Sequence, residues 1–130
     1  MDTKKPITKD YFIKAPTLEV WKALVNQKYI ENWGGGPAKM DDKIDTKFSL
    51  WGGDIHGKNI EVVTNKKLVQ EWYGGDWQKP SILTFKLEEE KDGTRLTLFQ
   101  TDVPEEELND IDAGWDDYYL GPLKEYLEGK

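Results

Sequence analysis

No cysteine occurs in the 130 residues, which removes disulfides, thiol nucleophiles and thiolate metal sites together. This absence suits a reducing compartment, and a cytoplasmic location is expected. His56 is the only histidine, so a multi-histidine metal site is excluded, and a Ser-His-Asp triad would have to use this one imidazole. Basic residues are outnumbered. Against 25 Asp and Glu stand 18 Lys and Arg, and the net charge of −7 disfavours nucleic acid and anionic membrane surfaces as partners. No apolar run approaches the ~20 residues needed to cross a bilayer. The opening MDTKKPITKD is charged and no apolar stretch follows it, so no secretory signal is expected. Internal repeats, linkers and low-complexity tracts are lacking too, and residues 1–130 read as a single domain.

What is present in quantity is aromatic. Six Trp, six Tyr and four Phe are many for this length, so large side chains must line the interior or a groove. Hydrophobic residues at 37% can form a core that charged residues at 33% keep soluble.

Hydrophobic period orders the chain. Residues 7–13 (ITKDYFI) have strand composition. Pro16 can begin a helix, since its missing N–H is harmless in a first turn. Leu18, Trp21 and Val25, with Leu24 beside them, give that helix an apolar face. QKYIENW places Ile30 and Trp33 on one side of a second short helix, and Gly34-Gly35-Gly36-Pro37 stops it. Period two then takes over. Phe48 and Leu50 alternate in residues 47–51, Gly52-Gly53 reads as a turn, and strands follow at 59–64 and 68–73. Residues 81–89 align Leu83, Phe85 and Leu87; Asp92-Gly93 signals a hairpin, and 94–101 return with Leu96 and Leu98. This antiparallel meander needs a cover, and only the last segment can supply it. A helix is expected from near Ala113, capped by Asp112 or a neighbour. Trp115, Tyr119, Leu123 and Leu127 form its apolar stripe, and Pro122 should kink it. Asp116, Asp117 and Tyr118 should lie nearer the rim or solvent.

Few residues suggest catalysis. His56 sits beside turn glycines and reads as a solvated loop residue. The acidic stretch 102–117 fails the calcium-loop pattern at Gly114, Trp115 and Gly121, and reads as a solvated loop with acids favoured at a helix start. Gly34-Gly35-Gly36 lacks the residues of a phosphate loop. Glu61 alternates out of phase with Ile60 and Val62 and should face water. Gln70 and Gln100 share parity with large apolar neighbours and suit orienting a ligand better than transforming it.

The segments IKAPTLEVWKAL, ENW, KFSLWGGDIHG, LVQEW, DGTRLTL and GWDDYYLGPLKEYL together resemble the activator of heat-shock protein 90 ATPase homologue family. The resemblance is to that family's C-terminal domain type, within the START-like, birch-pollen-allergen-like (SRPBCC) superfamily. Trp21, Trp33, Gly57, Trp72, Gly93-Thr94-Arg95 and Gly114-Trp115 fall where the family pattern expects them, whereas Asp45-Thr46 replaces a usual Gly-Gly.

The resemblance implies an α+β helix-grip fold. Six or seven antiparallel strands would curve around a long C-terminal helix, with two short helices after the first strand. It further implies an enclosed apolar cavity between sheet and helix. Its expected lining is Trp33, Phe48, Leu50, Gln70, Trp72, Phe85, Leu98, Gln100, Trp115, Tyr119 and Leu123. The expected function is non-enzymatic binding of a small hydrophobic ligand, with no cofactor, no metal and no catalytic residue. The alternatives are a co-chaperone-like contact with a heat-shock protein 90-type chaperone and a cyclase- or hydrolase-like use of the cavity. A monomer or weak dimer is expected.

Overall fold

The computed structural model describes residues 5–129; residues 1–4, which open the stretch read as lacking a secretory signal, and residue 130 lie outside the described residues. Strand β1 (Ile7–Ile13) leads into helices α1 (Thr17–Val25) and α2 (Gln27–Trp33). Strands β2 (Lys47–Leu50), β3 (Ile55–Val63), β4 (Lys67–Gly74), β5 (Ser81–Glu90) and β6 (Gly93–Thr101) follow. They form one antiparallel sheet in the order β1-β6-β5-β4-β3-β2. The C-terminal helical run comprises α3 (Leu108–Gly114), a π segment (Trp115–Leu120) and α4 (Gly121–Glu128). This is the helix-grip arrangement. Among the described residues no helix is long and apolar enough to cross a membrane.

Local chemistry explains the boundaries. Asn26 caps α2 by accepting from the backbone N–H groups of Lys28 and Tyr29. Gly34 ends it in the left-handed region at φ 109°. Asn65 and Asp92 take positive φ at the β3–β4 and β5–β6 turns, a conformation their short polar side chains tolerate. Ile13, Leu68, Leu83, Phe85, Leu96, Leu98, Leu123 and Leu120 fill the centre of the core.

Several expectations need correcting. Leu18 is 49% exposed, and Val20, Trp21, Ala23, Leu24 and Val25 are the buried residues of α1. That helix packs against α2, α4 and β5, so its buried face is wider than one stripe and is turned away from Leu18. His56 lies on β3, which starts at Ile55 instead of residue 59. Its Nε2 is 3.0 Å from the Gly75 carbonyl, and its ring stacks on Tyr73 at 5.2 Å. The turn reading came from Gly57, which is a strand residue placed where a Cβ would lie 1.8 Å from the Glu71 carbonyl oxygen.

The C-terminal helix also starts earlier, at Leu108, after a turn introduced by Pro104. Asp112 therefore sits inside α3 and does not cap it. Much of the acidic stretch read as loop is helical, with Glu105, Glu106, Glu107 and Asp110 at the dipole's positive end. Pro122 occupies the first turn of α4, where its missing N–H is least costly. The irregularity lies just before it: the Gly121 N–H donates to the Asp116 carbonyl, five residues back. The stripe itself stands, since Trp115, Tyr119, Leu123 and Leu127 are all buried, with Leu120 beside them.

A polar clamp fixes this helix to the edge strand. Lys9 Nζ lies 2.8 Å from Asp116 Oδ2 and 3.1 Å from Asp112 Oδ1, and the Tyr11 hydroxyl donates to Asp116 Oδ1 at 2.5 Å. Burial opposes ionisation of Asp116, but the hydrogen bonds from Lys9 and Tyr11 and the lysine charge outweigh it and hold the carboxyl below its usual value. A depressed folded pKa adds stability above the unfolded value of about 3.9 and loses it as pH falls further. Between pH 5 and pH 2 the melting temperature of Asp116→Asn should therefore fall less than that of the parent chain. Parallel slopes in thermal melts across this window would remove the clamp from the account.

Candidate functional site

A groove of about 360 Å³ opens where the start of the C-terminal helical run passes over one end of the sheet. Trp51 and Asp54 reach it from the turn after β2, Ile55 from β3 and Trp72 from β4. Asp110, Ile111 and Gly114 come from α3, and Trp115 and Tyr118 from the π segment. Gly114 widens the space, since a Cβ there would find only the Tyr118 ring edge, at 3.9 Å.

The indoles of Trp72 and Trp115 lie 5.4 Å apart, and both are buried. Hydrogen bonds set this pair from behind. Trp115 Nε1 donates to Gln100 Oε1 at 2.8 Å, Gln100 Nε2 donates to Ser81 Oγ at 2.9 Å, and Ser81 Oγ donates to the Trp72 carbonyl at 3.1 Å. Trp72 Nε1 is buried with no acceptor. An unsatisfied buried donor costs about 1–3 kcal/mol, which the packing of this indole against Trp115 and Trp77 must offset.

Trp51 adds a second irregularity. Its φ is +48°, an uncommon value for a bulky residue, held by its backbone N–H on the Gly35 carbonyl at 2.9 Å and its Nε1 on the Gly34 carbonyl at 2.8 Å. Backbone strain of this kind, of order 1–3 kcal/mol, persists where surrounding contacts over-determine it and clusters at ligand sites.

Of the lining residues expected from sequence, Trp72 and Trp115 border this groove. Trp33, Phe48, Leu50, Phe85, Leu98, Tyr119 and Leu123 are buried together in the core behind it. Tyr119 bridges the two regions, with its ring 4.7 Å from Trp115 and 4.6 Å from Trp33. Burial pushes its phenol far above its ordinary pKa, so it stays neutral.

Gln70 donates to Asn59 Oδ1 at 2.9 Å, and Asn59 Nδ2 donates to the carbonyls of Asp41 and Lys43. Gln70 is thus satisfied by the fold, away from the groove, and Gln100 serves as the support of Trp115.

Sequence reasoning missed Trp51, Asp54, Ile55, Asp110 and Ile111. The available signal was Trp51 followed by Gly52-Gly53, an aromatic displayed on a tight turn.

The chemistry on offer is apolar and acidic. Among the described residues no Lys, Arg or His lines the groove; its titratable side chains are Asp54, Asp110 and Tyr118. Among the described residues no group of three or more His, Asp or Glu could hold a metal ion.

The family model described as Activator of Hsp90 ATPase homolog 1-like protein matches residues 14–128. The activator of 90 kDa heat shock protein ATPase homolog of Dictyostelium discoideum is 28% identical over 130 residues, covering 94% of this chain and 34% of that protein. The Hsp90 co-chaperone AHA1 of Saccharomyces cerevisiae is 28% identical over 120 residues, covering 84% of this chain and 33% of that protein. The chain thus spans about a third of the length of these curated relatives. Among solved structures, an HSP90 activator from Plasmodium falciparum superposes with a TM-score of 0.86 at 23% identity, over 97% of both chains. With a match that runs from the end of β1 to the end of α4, the chain belongs to the Activator of Hsp90 ATPase homolog 1-like family.

Proposed function

We propose that the domain binds a small apolar molecule in the groove beneath α3 and the π segment, as a carrier or sensor without chemistry of its own. The observation that carries this reading is the groove itself: Trp51, Trp72, Trp115 and Tyr118 converge on about 360 Å³ of space. That volume falls within the size range of small-molecule sites, which are mostly apolar with a few placed polar groups. Asp54 and Asp110 supply such groups at its edge, and the strained Trp51 is a second mark of function.

Tyr118 gives the cleanest test, because it is 67% exposed and its truncation leaves the core alone. The neutral dye N-phenyl-1-naphthylamine should bind the folded protein and quench emission from the groove tryptophans. Tyr118→Ala combined with Ile111→Ala should weaken that binding about fivefold or more, with a melting temperature within a few degrees of the parent. Unchanged dye affinity in the double variant would remove the groove from the reading.

A second reading draws on the relatives, which are named as activators or co-chaperones of Hsp90. Here the domain would contact a chaperone of that type, through the same end of the sheet or another face. Stimulation of a purified Hsp90-type ATPase by this chain, retained in the double variant, would favour that contact over ligand carriage.

A further inference from the structure

We infer that the groove selects apolar cations, such as aromatic amines and quaternary ammonium ions, over neutral and anionic molecules of the same shape. This rests on the groove being a ligand site and adds the charge of what it takes. Four of the lining side chains, Trp51, Trp72, Trp115 and Tyr118, are aromatic, and a cation over such a ring is attracted by its quadrupole. Asp54 lies on the sheet side and Asp110 on the helix side, so two carboxylates from different elements flank the same opening. Neither side chain forms an ion pair or hydrogen bond among the described residues.

The surroundings reinforce the sign. Trp77 packs on Trp72 with ring centres 5.8 Å apart, and its Nε1 donates to Glu107 Oε2 at 2.8 Å, which sets a third carboxylate one indole further out. A carboxylate ligand would meet these acids and find no basic side chain in the lining. A chain with net charge −7 would further concentrate cations near its surface at low salt.

The test uses three probes on one skeleton: naphthylmethyl-trimethylammonium, naphthylmethanol and naphthylmethanesulfonate. Calorimetric titration at low salt reads affinity, and the indole N–H signals of Trp72 and Trp115 in NMR spectra locate the site. The cation should bind at least about tenfold tighter than the anion and about threefold tighter than the alcohol, the scale expected of two exposed charges and a cation–π contact. In 1 M salt, where the Debye length shrinks to about 3 Å, that advantage should largely vanish. Asp54→Asn with Asp110→Asn should level the cation with the alcohol. Equal binding of all three at the groove would overturn the selectivity and leave the groove standing. Absence of binding by every probe, or binding that leaves both indole signals unmoved, would overturn the groove reading and this inference with it.

Discussion

Trp115→Ala should destabilise the domain by about 3–5 kcal/mol, as removal of a buried Trp does through lost transfer energy and the cavity left behind. Trp115 is 2% exposed, and its ring lies within 6 Å of three others: Tyr119 at 4.7 Å, Trp72 at 5.4 Å and Phe85 at 5.9 Å. The loss extends beyond packing. Without the indole N–H, Gln100 Oε1 loses its donor inside the core, and the Gln100–Ser81–Trp72 relay loses its anchor. Against a total stability of about 5–15 kcal/mol, that is a large share. Asp117→Ala, two positions along and exposed, should cost less than about 0.5 kcal/mol. Urea melts of the pair should separate widely, and coincident midpoints would show that the sheet does not grip this helix.

Gly57→Ala should be comparably damaging, although it adds a single methyl group. Gly57 sits in mid-sheet between Phe48 of β2 and Trp72 of β4. A Cβ there would lie 1.8 Å from the Glu71 carbonyl oxygen and 3.1 Å from the Phe48 ring. Backbone cannot yield as a side-chain tip can, so β3 and β4 would have to part locally, at the upper end of overpacking costs, about 3 kcal/mol or more. Gly53→Ala makes the contrast. Gly53 has φ +107° with nothing within 4 Å of the added methyl, so only the conformational cost of about 1–2 kcal/mol remains. Equal losses in the two variants would mean that the close strand approach at Gly57 is not what demands glycine.

Strands β5 and β6 were legible because one face of each alternates cleanly, as Leu83, Phe85 and Leu87 do on β5. The helix stripe was legible because four apolar residues at four-residue spacing survive even a π segment, which slips the register without turning Trp115 and Tyr119 out of the core. His56 was misplaced because glycine serves two opposite purposes, freedom in a turn and room in a crowded ladder, and its local sequence is the same in both. The helix start was missed because Leu108 and Ile111 are only partly buried, so the apolar period is weak over α3.

The candidate site was harder for a related reason. Parity identifies which side chains face inward, but most inward side chains fill a core, as Phe85 and Leu98 do. The groove is instead made in part by residues at element ends, Trp51, Ile55 and Gly114 among them, which meet only once the helix crosses the sheet. Trp72 and Trp115 belong to both sets.

Ligand carriage in the groove is tested most directly by native mass spectrometry of the protein as purified from its own organism, beside the Tyr118→Ala, Ile111→Ala double variant. A small-molecule adduct on the parent chain that is lost from the variant, with both proteins folded, is the predicted result. A bare parent chain, or an adduct retained undiminished by the variant, would contradict it.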